Sequence, residues 1–559
     1  MNAASAPDGR GTISFTNQPH SMHLPDNAET APQLGDSLEL EMLPGEKWWG
    51  LATAFGRDMP FSEKTELSID LRRASYSHQT QSLLCSDRGR AAWCPEPVLA
   101  EFSGGAIRLS SDAGKIWFEP HAGANLREAF RHAASAWLKP DGREPDLLFF
   151  SAPQYNTWIE LTYHQNERDI LAYAQSMLDA GLPPGVFMID DTWQLDYGTW
   201  EFDPRRFGDP KGMVDKLHAM GFEVLLWTCP YVSMDSPAYR RIIGIRGRGP
   251  GGFLCARADE AGRPRSEWAN DPAAVTWWNG KSALLDFTHP DARRWFSGEL
   301  ARLKRDYGVD GFKFDAGSVE TYAKGCLAKD PSASAAAQSA LYGAFALEDR
   351  TAEMRDCWGL AGKPVVMRLH DKPHTWEALA CLVPDMLAAG MTGYPFICPD
   401  MIGGGEWSAF LPGSAFDPEL FVRSAQIHAL CPMMQISASP WRVLPPELQA
   451  VFKDVVALRQ RFAPRFVALA KESARTGEPM MRSLEYVFPG AGLAEVRDEF
   501  MMGDDLLVAP VLEKGGAERR VALPPGRWRD DLGAEFSGPA TLVLRDVPLA
   551  RLPHYEKIG

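Results

Sequence analysis

The chain has little that would suit it to an anionic polymer or a lipid bilayer. Its 58 Lys and Arg are outnumbered by 73 Asp and Glu, a formal charge of −15. It therefore lacks the basic stripe that displaces counterions from phosphates, and a nucleic-acid or anionic-membrane partner is disfavoured. No uninterrupted apolar stretch reaches the ~18 residues of a spanning helix. Met1 to Arg10 has no positively charged start leading into an apolar run, so no signal peptide is expected. The nine cysteines, odd in number and scattered from Cys85 to Cys431 without C-x-x-C spacing, argue against a disulfide framework or zinc site. They predict free thiols in a reducing cytoplasm. Neither a G-x-G-x-x-G nor a G-x-x-x-x-G-K-[ST] phosphate loop occurs, and no repeat of roughly 20–50 residues is evident. No cofactor or metal is expected.

What is present is a folded composition of 45% hydrophobic and 23% charged residues over 559 positions. At a soft prior of ~150 residues per domain, that length suggests three or four domains, or one large barrel with attachments. The acidic chain also carries 18 Trp, 13 Tyr and 28 Phe. Most of these rings belong in the core. The remainder suit a small carbohydrate, whose apolar C–H faces stack on aromatic rings while carboxylates accept its hydroxyl protons. Self-association into a homo-oligomer is compatible with the sequence, which has no readable code for it.

Up to about residue 135, short strand-like segments broken by Gly, Asp and Ser (Gly11–Phe15, Leu38–Met42, Gln81–Cys85, Ala106–Leu109) predict an N-terminal antiparallel sandwich. From about Asp146 the texture changes to apolar strand cores alternating with amphipathic helices. The strand candidates are Leu147–Ser151, Val186–Asp190, Glu223–Thr228, Gly311–Asp315, Val365–Leu369, Pro395–Pro399 and Met433–Ser437. Helical patterns such as Glu167–Ala180, Met213–Met220, Ala292–Asp306 and Leu420–Leu430 fall between them. Seven or eight such repeats match an eight-stranded (β/α)8 TIM barrel. The alternative, a doubly wound sheet, would gather its site at one switch point, whereas here Asp190, Trp227, Asp315, Asp371 and Asp400 stand at or near the ends of different strands. The fold class is thus α/β, with a catalytic barrel over 136–445 between an N-terminal sandwich (1–135) and a β-rich region (446–559). That last region opens on a helix at Pro446–Arg461 and continues with strands such as Asp505–Val511, Arg519–Leu523 and Ala540–Leu544, read as one or two small sandwich domains.

Three segments carry the chemistry. In Gly308–Gly317, Lys313 and Asp315 lie two residues apart on a strand and share a face. A lysine beside a carboxylate favours the ionised form, in which it serves as a nucleophile. A structural ion pair at a barrel rim is the competing reading. Val365–Asp371 ends a second strand in a carboxylate. Two carboxylates on different strands of one barrel supply the pair that glycoside hydrolysis needs, one to attack and one to exchange protons. His370 with Asp371 also reads as metal ligands, but no second His-rich cluster accompanies them. In Val186–Trp193, Asp190 and Asp191 end a strand, one placed to accept from sugar hydroxyls and the other to cap the following segment. Trp227, and Trp278 in Trp277-Trp278-Asn279-Gly280 ahead of a strand-like Ala283–Phe287, are candidate stacking platforms; core packing is the alternative for each ring.

In this order the motifs resemble glycoside hydrolase family 31. The resemblance runs from Lys47-Trp48-Trp49-Gly50 through Trp200–Asp209 (W-E-F-D-P-R-R-F-G-D), Leu284–Thr288 with Pro290 and Trp295, and Pro399–Gly404 (P-D-M-I-G-G), to Gly503–Val511. It implies Asp315 as nucleophile, Asp371 as general acid/base and Asp190 as a ligand to the sugar in the −1 subsite. The chain departs from the usual α-glucosidase pattern: Lys313-Phe314-Asp315-Ala316-Gly317-Ser318 replaces their W-x-D-M-N-E, and Arg368 stands only three residues before Asp371. Both departures match the branch of bacterial α-galactosidases and the animal myogenesis-regulating glycosidase, in which F-K-F-D-A-G, W-W-N-G and P-D-M-x-G-G recur.

The resemblance therefore implies a retaining exo-α-glycosidase of carbohydrate metabolism acting on terminal α-galactosides. Asp191, Trp227, Trp278, Lys313 and Arg368 join Asp190 as substrate-binding candidates, with Lys313 placed to favour an axial O4. The runner-up is an α-glucosidase, α-xylosidase or sulfoquinovosidase of the same family; beyond the enzymes stands a sugar-binding homologue without catalysis. The plus subsites are assigned to loops at Gln154–Trp158, Ile242–Asp271 and Gly403–Pro412.

Overall fold

A computed structural model describes residues 35–76, 79–243, 252–259, 271–323 and 326–559. The expected strand at Gly11–Phe15, and most of the expected loop Ile242–Asp271, lie outside the described residues.

Eight short parallel strands form the centre: β1 (Gln154–Asn156), β2 (Val186–Ile189), β3 (Glu223–Thr228), β4 (Gly311–Phe314), β5 (Ala352–Met354), β6 (Val366–Arg368), β7 (Ile397–Cys398) and β8 (Gln435–Ile436). Each neighbours the next in chain order, and β8 lies beside β1. The circle closes through a parallel bridge between Met401, just past β7, and Gln435. This is a TIM barrel, as expected. Its longer strands are buried on both faces, which is why Val-Phe-Met-Ile and Val-Leu-Leu-Trp read as continuous apolar runs.

The sequence misplaces one strand and misses another. Leu147–Ser151 contributes a helical turn at Leu148–Ser151, not the first strand, because the Asp146 carboxylate accepts the Leu148 N–H and turns the chain there. A four-residue apolar run has no period with which to tell the two states apart; the strand begins three residues later. β5 is Ala-Glu-Met, too short and too polar to announce itself.

The helices start and stop on local signals. Asn166 caps Glu167–Asp179, and Asp209 with Pro210 behind it opens Pro210–Ala219. Gly308, at φ 81°, ends Pro290–Tyr307 and launches β4. At Gly311 a Cβ would lie 1.7 Å from the Thr351 carbonyl oxygen, so the strand leading to Asp315 approaches β5 as closely as only glycine permits.

Two four-stranded antiparallel sheets precede the barrel. One is built from Ser37–Glu41, Ala106–Ser111, Val98–Ser103 and Leu67–Asp70, the other from Trp48–Ala52, Thr80–Ser86, Ala91–Trp93 and Trp117–Glu119. The helix expected to end at Arg461 runs on to Thr476, through Pro464, before chain reversal at Gly477 (φ 73°). Beyond it the C-terminal β-sandwich domain is one six-stranded antiparallel ladder with its own core of Leu484, Met501, Leu507, Val521, Leu523, Trp528 and Tyr555. Glu478 fastens it to the front of the molecule, accepting from Arg127 at 2.7 Å, Arg131 at 2.9 Å and the Tyr486 hydroxyl at 3.1 Å.

Candidate active site

Trp227 on β3, Lys313 on β4 and Glu353 on β5 are consecutive partners in the parallel ladder, so their side chains leave the sheet on the same side. All three are buried. Lys313 Nζ reaches across to Asp190 Oδ2 at 2.5 Å, with both side chains no more than 4% exposed. Beneath this layer Gln435 donates to Gln154 Oε1 and Glu353 Oε2, both at 2.8 Å. The barrel interior under the site is thus polar and hydrogen-bonded.

Asp315 follows β4 directly and is 5% exposed. Its Oδ2 accepts the indole N–H of Trp227 at 3.0 Å, and its Oδ1 accepts the Ala316 N–H at 2.8 Å. Ala316 sits at φ 59° and Gly317 at φ 81°, so the chain turns sharply away and leaves the carboxyl at the strand tip. Thr192 (φ 71°) and Asp400 (φ 81°) hold the same uncommon backbone at the tips of β2 and β7. Strain of this kind persists where the surrounding structure imposes it, and functional sites are where it gathers.

Asp371 follows β6 at two residues' remove and its side chain is one-third exposed. Arg368, itself 1% exposed, divides one nitrogen between Asp371 Oδ1 (2.8 Å) and Asp400 Oδ1 (2.6 Å). A second arginine, Arg355, follows β5, with Nη1 at 3.5 Å from Asp315 Oδ1 and 3.9 Å from Asp371 Oδ2. Loss of water around Asp371 would raise its pKa, but Arg368, Arg355 and Lys313 outweigh that and hold the carboxyl below the usual range. Asp400 goes the other way: burial lifts it to about 6, against the opposing pull of Arg368.

A hairpin formed by Ala274–Trp277 and Gly280–Leu284 carries Trp278 and Asn279 at its tip. Asn279 Nδ2 donates to Asp191 Oδ2 at 2.9 Å, and Gln194 and Tyr197 donate to the same carboxyl group. Burial first, and then the neighbouring Asp190, raise Asp191 to about 7. Asp191 also accepts the Thr192 N–H at 2.6 Å, so it braces the turn after β2 while Asp190 faces Lys313.

The structure gathers Asp190, Asp191, Lys313, Asp315, Arg368 and Asp371 at one end of the barrel. It redraws the expected pairing of Lys313 with Asp315. Lys313 spends its ammonium on Asp190, and the guanidinium beside Asp315 is that of Arg355. Trp227 is 1% exposed; its N–H edge holds Asp315, and it offers no open ring face, because its register with Lys313 points it inward. Trp278 is 51% exposed, with Arg355 over its ring at 5.8 Å. Sequence reading missed Arg355, Asn279 and the bracing role of Asp400. The available signals were Asn279 in the W-W-N-G motif and Asp400 as a strand-end acid; Arg355 follows a strand with no apolar pattern. His370 is driven down to about 3 chiefly by burial. Among the described residues no group of three or more His, Cys, Asp and Glu could hold a metal ion.

Comparison with known proteins places the chain. Residues 153–469 match the glycosyl hydrolases family 31 TIM-barrel domain, and residues 477–559 the family's C-terminal domain. The chain is 34% identical over 447 residues to the myogenesis-regulating glycosidase of Mus musculus, covering 78% of this chain and 60% of that one. It is 27% identical over 539 residues to an alpha-xylosidase of Emericella nidulans, covering 88% and 64%. It thus spans somewhat under two thirds of the length of these relatives. Among solved structures, a GH31 alpha-xylosidase from a soil metagenome, complexed with xylose, superimposes with a TM-score of 0.75 at 22% identity, covering 93% of this chain and 79% of that one; this likeness shows the fold.

Proposed function

We propose that this chain, which belongs to glycoside hydrolase family 31, removes terminal α-galactosyl residues by a double displacement that retains anomeric configuration. The observation that carries the chemistry is Arg355 Nη1 lying within 4 Å of both Asp315 and Asp371. Two carboxyls from different strands thus reach one nitrogen, which brings them close enough to act on one glycosidic bond, and the match to the glycosyl hydrolases family 31 barrel supports retention, for which the two carboxyls should stand ~5–5.5 Å apart.

In the first step a carboxylate oxygen of Asp315 bonds to the anomeric carbon as the bond to the leaving oxygen breaks, and the Asp371 proton passes to that oxygen. In the second, ionised Asp371 takes a proton from water, the water oxygen bonds to the anomeric carbon, and Asp315 departs with its electron pair. The Trp227 and Ala316 N–H groups fix both oxygens of Asp315. They also stabilise the charge that returns to it in the second step.

The galactose assignment rests on the buried Lys313–Asp190 pair. It offers an ammonium donor and a carboxylate acceptor beside the nucleophile, where hydroxyls of the −1 sugar are read. An axial O4 lies in a different direction from an equatorial one, and a fixed donor discriminates between them. A second reading, α-xyloside hydrolysis, is favoured by the similarity to the Emericella nidulans alpha-xylosidase across 88% of the chain. Initial rates on p-nitrophenyl α-galactoside, α-glucoside and α-xyloside separate them. The proposal expects the galactoside to be cleaved fastest, and equal or faster release from either of the others overturns it. A cytoplasmic location and self-association belong to the same proposal; native mass and cell fractionation test them.

A further inference from the structure

Beyond the catalytic carboxyls, the barrel mouth carries an aromatic cluster that the bond-breaking steps leave unused. Tyr163, on the segment after β1, is 41% exposed. Trp158 and Trp407 meet it at steep angles, with ring centroids 5.5 and 6.3 Å away and planes inclined at 76° and 87°. The Tyr163 hydroxyl donates to Asn279 Oδ1 at 3.2 Å, and Asn279 in turn donates to Asp191. The Tyr163 carbonyl accepts from Arg206 at 3.3 Å. A single exposed ring is ordinary on a protein surface. This one is tied down at its hydroxyl, its flanks and its backbone, and it stands one amide away from the acid adjoining Asp190. Immobilising an exposed side chain costs conformational entropy, and pre-organisation of a binding surface is what that cost secures.

We propose that Tyr163 is the stacking platform for the leaving group, and that the leaving group is a second pyranose ring, so that the favoured substrates are disaccharides or longer oligosaccharides. Its surroundings select a sugar over a purely aromatic aglycone: the phenol of Tyr163 and the half-buried amide of Asn279 it contacts lie at the polar edge of the ring and match a ring with hydroxyls at its edge and C–H groups on its face. The inference rests on the hydrolytic reading above but not on the identity of the −1 sugar.

The test compares kcat/KM for a disaccharide with that for the corresponding α-glycosyl fluoride, which has no leaving ring to stack, in whichever sugar series the wild-type enzyme turns over best. In Tyr163→Ala the disaccharide-to-fluoride ratio falls about tenfold, the scale of one lost stacking contact. Tyr163→Phe keeps the ring and loses the hydrogen bond, and its ratio stays within about twofold of wild type. An unchanged ratio in Tyr163→Ala, or an equal fall in Tyr163→Phe, overturns the platform. A wild-type enzyme that cleaves neither compound overturns the hydrolytic reading itself, and the platform with it.

Discussion

Arg355 Nη1 stands 3.5 Å from Asp315 Oδ1 and 3.9 Å from Asp371 Oδ2, one cation shared by the two acids proposed as nucleophile and acid/base. It offsets their mutual repulsion. Together with Arg368 and Lys313, and against the loss of water around Asp371, it keeps that carboxyl below the usual range. The first step uses protonated Asp371, so the pH profile of kcat/KM, which reports the free enzyme, should descend on the acidic side of neutrality. Removing a positive charge raises the Asp371 pKa. Arg355→Met should therefore move the descending limb to higher pH while lowering the plateau by about 100-fold. An unmoved limb would show that Arg355 does not govern Asp371.

Asp371→Ala removes proton exchange but leaves the nucleophile. Activity on an unactivated disaccharide should fall by roughly 100- to 10,000-fold, with a smaller loss on an aryl glycoside whose leaving group needs no proton. Azide should restore turnover of the aryl substrate and give a glycosyl azide of α configuration, readable by proton NMR. A β product would mean that Asp371 had been the nucleophile.

Lys313→Met strips the cation from buried Asp190. Breaking a buried ion pair costs about 3–5 kcal/mol where the remaining charge stays uncompensated, so the thermal midpoint should drop clearly. The informative readout is the galactoside-to-glucoside ratio of kcat/KM, which should fall about tenfold or more in the variant. A ratio that stays constant while stability falls would reduce the lysine to a structural role.

Arg459 lies in the long helix Pro446–Thr476 and is fully buried. It donates to the carbonyls of His428 (3.1 Å), Cys431 (3.0 Å), Phe150 (3.1 Å) and Pro432 (2.9 Å). It pins the end of Pro418–Leu430 and the turn before β8 to the helical turn ahead of β1. Arg459→Met leaves several buried acceptors unpaired and should cost about 3 kcal/mol in stability. KM for a simple glycoside should be little altered in the folded fraction. Denaturant titration alongside steady-state kinetics checks both.

The two catalytic candidates were legible in the sequence because each acid follows an apolar strand, and a barrel sends strand ends to one place. The residues that set their charge were not. Arg355 follows Ala-Glu-Met, where the buried Glu353 breaks the apolar run that marks the other strands. Asn279 reaches Asp191 only because a hairpin folds back over the mouth, a contact between residues 88 apart. Trp227 looked like a platform by position, but its ladder register with Lys313 turns its N–H edge toward Asp315. The apolar run Leu147–Phe150 mimicked a first strand because four apolar residues carry no period, while the Asp146 carboxylate, accepting the Leu148 N–H, turns the chain there.

The most direct test of the double displacement is to trap its covalent intermediate. Incubation with a 5-fluoro α-glycosyl fluoride of the preferred sugar, followed by peptide mass spectrometry, should find one sugar on the peptide containing Asp315, with none in Asp315→Asn. A sugar carried by a different carboxylate, or release of the β-anomer as the first product of an ordinary substrate, would contradict the account.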